Sequence, residues 1–439
     1  MPPPHRMRGE GRVAPSGTAG DGTTVMDHFA YQHGILHAED TPIPDLVARY
    51  GTPLYVYSKA TVTRHYQVFT ESFADRAHKV CYAVKANAHA GVLQTLAALG
   101  SGADVVSAGE IALAVEAGIP PGKIVFSGVG KMRREMAYAL GLGVFQYNVE
   151  SLPELELLNQ VACEMGVKAP IALRLNPDVD PQTHAKISTG KKDTKFGISM
   201  EEAWGMYHHA RSLPGIAVQG VSVHIGSQLT SLPPFEQAFA KVCDFTRALL
   251  AEGFPISVLD LGGGLGVPYH QEEPPSPALY AESVKKVVGD LPCELVFEPG
   301  RMIVANAGVL VTEVIYVKRS GQLSVASPQS AGNWQLATGH SSRTFLIVDA
   351  GMNDLLRPAL YGAYHTIIPV REAEADAPFS PVDIVGPVCE TSDIFAEQRP
   401  MPPVVAGDLL AIRTAGAYGA VLASTYNARP RVQEVMVGS

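Results

Sequence analysis

Cysteine is scarce in this chain and follows no pairing pattern. Cys81, Cys163, Cys243, Cys293 and Cys389 are the five thiols in 439 residues, and none forms a C-x-x-C pair. An odd number of scattered thiols, several inside apolar runs, argues against a disulfide framework and for a reduced, cytoplasmic enzyme. Charge of one sign is nowhere concentrated. The net charge of −9 is spread along the chain, so no basic patch invites nucleic acid. No apolar run approaches the length of a membrane span, so no membrane partner is expected. The segment from Met1 to Thr24 is rich in Pro, Gly and Arg and lacks the apolar stretch of a signal peptide. More ordinary sequence begins at Met26, so residues 1–25 read as a disordered tail or a misassigned start.

What is present is a repeated alternation. Between Lys79 and Pro299, short apolar runs are separated by helical patterns: Val80–Val84, Ala103–Val106, Lys123–Phe126, Val144–Tyr147, Ile171–Leu175, Gly220–Val223, Val258–Leu261 and Leu295–Phe297. Strand alternating with helix predicts a parallel sheet, and eight repeats predict closure into a (β/α)8 barrel. The residues after these runs are Lys85, Ser107, Ser127, Asn148, Asn176, His224, glycines from Gly262, and Glu298. In such a barrel the C-terminal strand ends form the functional rim. After Arg301 the pattern shifts to strands with few helices, which predicts a second, mainly β unit. The expected division is residues 26–58 joining the β unit, 59–302 the barrel, and 303–439 the β unit. Ser320–Ser342 reads as a flexible surface loop, and Pro274–Pro277 and Arg399–Pro403 as loops.

Several rim residues carry chemistry. Lys85 follows a buried strand, where its charge must be paired or its pKa lowered. A neutral lysine amine attacks aldehydes. On this segment alone, a solvated strand-end lysine fits as well. The run Leu261–Gly266 follows the seventh strand, where barrels commonly hold phosphate, and its glycines let backbone N–H groups close on an anion. Glu298 in E-P-G-R either pairs with Arg301 or meets a protonated ring nitrogen. His224 in H-I-G-S-Q is a core histidine or a flat partner for a ring. No second His or Cys stands at ligand spacing, which argues against zinc or any metal. Cys389 beside Glu390 is a buried thiol or a proton donor next to a carboxylate. An aldehyde, a phosphate, a pyridine nitrogen and a flat ring are the four handles of pyridoxal 5'-phosphate, and one rim offers a partner for each.

The chain resembles the diaminopimelate decarboxylases, fold-type III pyridoxal-phosphate enzymes related to alanine racemase and ornithine decarboxylase. The resemblance runs over about residues 28 to 437 and rests on motifs in order. They are Y-A-V-K-A-N from Tyr82, H-I-G-S-Q, G-G-G, E-P-G-R, D-A-G-M-N-D-L-L-R-P-A-L-Y from Asp349, G-P-V-C-E-T-S-D from Gly386, and A-G-A-Y ending at Tyr418. It implies a barrel of the alanine racemase type with a mainly β C-terminal domain. Its implied reaction is decarboxylation of meso-2,6-diaminopimelate to L-lysine, the last step of lysine biosynthesis. Lys85 would carry the cofactor as a Schiff base and His224 would stack on its ring. Ser227, Gly263, Gly264 and Tyr418 would hold the phosphate, and Glu298 the pyridine nitrogen. Arg301, Arg357 and Tyr361 would bind substrate carboxylate, Tyr418 would also contact substrate, and Glu390 would bind the distal amino group. Cys389 would protonate the carbon that loses CO2. Cys389 and Glu390 would come from the partner chain of a homodimer with shared active sites. Where the family usually has C-E-S-G-D, this chain has C-E-T-S-D, a side chain in place of glycine. A racemase or an ornithine- or arginine-type decarboxylase on the same fold is the alternative. Glu298 argues against the racemase, and Arg357 with Tyr361 against substrates ending in a single cation.

Overall fold

The computed structural model describes residues 27–180, 195–320 and 343–438. The expected tail at 1–25 and all of the expected loop beyond Ser320 lie outside the described residues.

Eight parallel strands form a closed barrel: His78–Ala83, Gly102–Val105, Ile124–Phe126, Gln146–Val149, Ala169–Asn176, Ile216–Val223, Val258–Asp260 and Glu294–Phe297. Each pairs with the next in the chain, and the eighth closes on the first through Phe297 against Val80. Several of the intervening helices start at a serine that caps them. Ser107 accepts from the Glu110 N–H at 3.2 Å, and Ser151 from the Glu154 N–H at 3.4 Å. Gly166 ends Leu152–Met165 in the left-handed conformation.

The period-two geometry of strands sorts their side chains. Val80, Tyr82, Ala103, Val105, Tyr147, Val149 and Phe297 point outward into the core shared with the helices. Cys81, Val125, Val258 and Val296 form a separate small cluster inside the barrel. Two residues further along, the inward positions become Ala83, Ser127, Asp260 and Glu298.

A second sheet is organised around the long strand Gly308–Arg319. It pairs antiparallel with Leu54–Ser58, Leu409–Ile412 and Thr344–Val348. Gln433–Val437 adds to Leu54–Ser58 in parallel. Ser380–Val385 and Ile394–Met401 extend the other side.

Three readings need correction. Arg399–Pro403 is not all loop, because Ile394–Met401 is a strand. It occupies the sheet edge, where Pro400 lacks only a hydrogen bond that an edge need not make. The fourth barrel strand is Gln146–Val149 rather than Val144–Tyr147, so Asn148 lies inside it. The first strand ends at Ala83, and Lys85 sits in a 3-10 turn, Val84–Ala86. A small sheet of Phe29–Gln32, Ile35–Ala38 and Thr41–Pro42 also went unread.

Candidate active site

The C-terminal end of the barrel interior holds a dense polar network. The Asn148 side-chain amide lies 2.9 Å from Asp260 Oδ2, 3.1 Å from Glu298 Oε1 and 3.1 Å from Ser127 Oγ. Gln146 donates to Asn148 Oδ1 at 2.8 Å, which fixes the orientation of that amide. Asp104, Asp260 and Glu298 are all buried, three carboxyl groups in one dry region.

Lys85 faces this group. Its Nζ lies 2.5 Å from Asp104 Oδ2. Burial opposes the charge, but the carboxylates of Asp104 and Glu298 outweigh it, so the amine sits above the ordinary lysine value. Of the two ways its position left open, pairing or a lowered pKa, the structure shows pairing. Asp104 keeps its other oxygen, Oδ1, buried without a hydrogen-bond partner among the described residues. Glu298 is pushed the other way from a surface carboxylate. Burial, and then the charges of Asp104 and Asp260, hold its pKa well above the usual range. Asp260 is raised to about 6, mainly by burial and against hydrogen bonds from Asn148 and Gly262.

His224 is kept neutral by burial and by the nearby Arg174 and Lys85 cations. Its Nδ1 accepts the Gly263 N–H at 3.2 Å, so the ring's other nitrogen carries the proton. The glycine run is demanded by close approach. A Cβ on Gly262 would lie 2.4 Å from the Val223 carbonyl oxygen, and one on Gly263 2.2 Å from that of Glu298. Gly264 has φ +121 and would put a Cβ 2.5 Å from the Gly226 oxygen. Ser227 Oγ lies 3.1 Å from Arg301 Nη2, and the Arg301 guanidinium is 4.8 Å from the Tyr418 ring centre. Three of the residues expected around a phosphate or carboxylate thus converge. Tyr418 comes from the second unit, whose chain is tied here by Tyr418 N–H to Ala86 O at 2.7 Å.

Arg301 and Arg357 both pack on Tyr269, at 5.8 and 4.4 Å from its ring centre, and Arg301 donates to its hydroxyl at 2.8 Å. Both guanidiniums are buried. Among the described residues neither has a carboxylate partner.

Lys85, His224, Ser227, Gly263, Gly264, Glu298, Arg301, Arg357, Tyr361 and Tyr418 all line one cavity of about 490 Å³. That is the size range of small-molecule sites. Cys389 and Glu390 do not line it. Both are exposed, with the Cys389 N–H on Asn427 Oδ1 at 3.2 Å and the Tyr426 hydroxyl on Glu390 at 2.5 Å. Ser392, which replaces the family's glycine, does not take a left-handed φ, and Asp393 ties its loop through the Met352 and Val388 N–H groups.

The residues fit pyridoxal phosphate in chemistry. An amine, a high-pKa carboxyl, a neutral imidazole and a close-packed glycine turn beside an arginine line one cavity, and Asp104 stands behind the amine. Among the described residues, no group of side chains suits a metal ion, and no helix is long and apolar enough to cross a membrane.

Sequence reasoning missed Asp104, Asp260, Arg174, Tyr269 and His365. The first two carry a usable signal, since each puts an acid inside an otherwise apolar strand, G-A-D-V and V-L-D. Tyr269 and His365 stand in irregular segments with no such signal.

Comparison with known proteins agrees with this geometry. Residues 59–305 match the family of the pyridoxal-dependent decarboxylase pyridoxal-binding domain. Diaminopimelate decarboxylase of Vibrio cholerae is 51% identical, with 94% of each chain covered. That of Pseudomonas aeruginosa is 48% identical over 94% of each. The solved Helicobacter pylori enzyme, complexed with L-lysine, superposes with a TM-score of 0.83 at 40% identity, covering 90% of this chain and 94% of that one. The M. jannaschii enzyme, also with L-lysine, gives 0.84 at 37% identity, covering 94% and 93%. This chain, with its closed barrel, mainly β second unit and lysine-centred cavity, belongs to the diaminopimelate decarboxylase family of pyridoxal-dependent decarboxylases.

Proposed function

We propose that the chain decarboxylates meso-2,6-diaminopimelate to L-lysine and CO2, the last step of lysine biosynthesis, as a pyridoxal-phosphate-dependent carboxy-lyase. The observation that carries the substrate half of this reading is the pair of buried guanidiniums, Arg301 and Arg357, on one cavity wall. Ornithine or arginine would bring a cationic tail to that wall. A substrate with a second carboxylate brings its complement.

Bound pyridoxal phosphate supplies an aldehyde for amines and a ring that accepts the electron pair left when CO2 departs. The chain's own residues supply the rest. Lys85 would hold the cofactor through its amine, which Asp104 at 2.5 Å positions. Glu298 would meet the ring nitrogen, where its ionised carboxylate would stabilise a proton on that nitrogen. A racemase is served by a weaker electron sink, so Glu298 supports the decarboxylase reading. His224, held neutral, offers its ring face without adding charge. Ser227, Gly263, Gly264 and Tyr418 hold the phosphate. Arg301, which touches Ser227 and Tyr418, would bind substrate carboxylate. Arg357 and Tyr361 take the substrate's distal carboxylate.

Cys389 delivers the proton to the carbon that lost CO2, and Glu390 binds the distal amine. Neither lines the cavity of its own chain. On this reading they serve the partner chain's site in a head-to-tail homodimer. Five free thiols support a reducing, cytoplasmic setting.

A Cys389→Ala protein tests the proton-donor role. It should bind cofactor as wild type does and lose most of its turnover. Unchanged turnover would remove Cys389 from the chemistry.

A further inference from the structure

We propose that His365 is a positioning residue for substrate recognition: its neutral imidazole holds the Arg357 guanidinium aimed to receive a substrate carboxylate. The proposal rests on the reading of Arg357 given above.

His365 is fully buried and does not line the cavity; it stands behind the wall that Arg357 forms. Its Nδ1 lies 2.9 Å from the Arg413 carbonyl oxygen. A carbonyl only accepts, so Nδ1 carries the proton. Nε2 is then a lone pair, and it lies 2.9 Å from Arg357 Nη1. A guanidinium only donates, so both contacts are satisfied by one tautomer of a neutral ring. The imidazole is gripped further by the Tyr269 ring, edge-on at 5.4 Å, and its backbone oxygen accepts Arg399 Nη1 at 2.8 Å. Burial and the cations Arg357, Arg301 and Arg399 keep the ring neutral, with its pKa lowered to about 3.

The choice of a neutral partner matters. A carboxylate at this place would hold Arg357 equally well but would cancel its charge. A histidine that accepts through Nε2 fixes the guanidinium plane and leaves the charge for the ligand. One N–H of the fork is engaged behind the wall, and the remaining donors are left to face the cavity.

The test uses holoenzyme and two ligands followed by titration calorimetry, L-lysine and 1,5-diaminopentane. They differ by the one carboxylate that Arg357 is read to bind. In His365→Asn the amide can still donate to Arg413 O but leaves no acceptor near Arg357. L-lysine should weaken by about tenfold or more, the worth of one charge-assisted hydrogen bond. The diamine should weaken by less than about threefold on the same scale. In His365→Gln an acceptor returns close to the Nε2 position, and L-lysine affinity should recover to within about threefold of wild type. In turnover, His365→Asn should raise KM more than it lowers kcat. Equal weakening of both ligands would mean general damage and overturn the proposal. A wild-type preference for L-lysine that His365→Asn retains would overturn the role of His365 alone. A wild type without that preference would overturn the carboxylate role of Arg357 and this proposal with it.

Discussion

Lys131 is the clearest place to test how the rim is held. It is fully buried, and its Nζ lies 2.7 Å from Gly128 O, from Asn148 O and from Glu154 Oε1. One ammonium thus ties the loop after the third barrel strand to the end of the fourth, where Asn148 reaches Asp260 and Glu298. Lys131→Met leaves the Glu154 carboxylate, only 6% exposed, and two carbonyls without their cation. Breaking a buried pair in this way costs about 3–5 kcal/mol. In a chain of this length that is a fall in Tm of roughly 3–5 °C. Burial already raises the Glu154 pKa even with Lys131 beside it. Removing the cation raises it further. A carboxyl whose folded pKa lies above its unfolded one favours the folded state below the unfolded pKa, and that contribution fades as pH rises through the folded pKa. The deficit of Lys131→Met should therefore be smaller near pH 5 than near pH 8. Adding Glu154→Leu should restore part of the lost stability, because the stranded charge is then gone while the two carbonyls stay without a donor. Calorimetric Tm at the two pH values measures all of this. A double variant no more stable than the single, or a deficit that grows as pH falls, would refute the reasoning.

The remaining predictions concern the cofactor and the shared site. Purified protein should be yellow, and Lys85→Ala should lose the visible absorbance of lysine-bound cofactor; a retained band would assign the link to another residue. If active sites are shared between chains, inactive Lys85→Ala and Cys389→Ala proteins, unfolded and refolded together, should recover up to about a quarter of wild-type turnover. Half of such dimers are mixed, and each mixed dimer holds one intact site. No recovery would count against the shared site.

The barrel was legible because strands buried on both faces must be apolar, so each one stands out as a short run between amphipathic helices. Its rim was legible where a polar residue follows such a run, as at Ser127, His224 and Glu298. Asp104 and Asp260 were not, because each lies within the strand and faces inward, and one acid does not break a run. The edge strand Ile394–Met401 was hidden by Glu397, Arg399 and Pro400, residues that only an exposed edge accepts. Lys85 was found at once, but its pairing with Asp104 was not. The two residues are 19 apart in sequence and meet only because the first and second strands are neighbours. His365 depends on Arg413 and Arg357, contacts that no local pattern encodes.

The central claim is tested most directly by CO2 release from meso-diaminopimelate, L-lysine, ornithine and arginine offered separately to holoenzyme. The two buried guanidiniums predict release from meso-diaminopimelate and little from the other three. A preference for ornithine or arginine would contradict the assignment of Arg357 and Tyr361 to a second carboxylate, while the cofactor chemistry at Lys85 would stand.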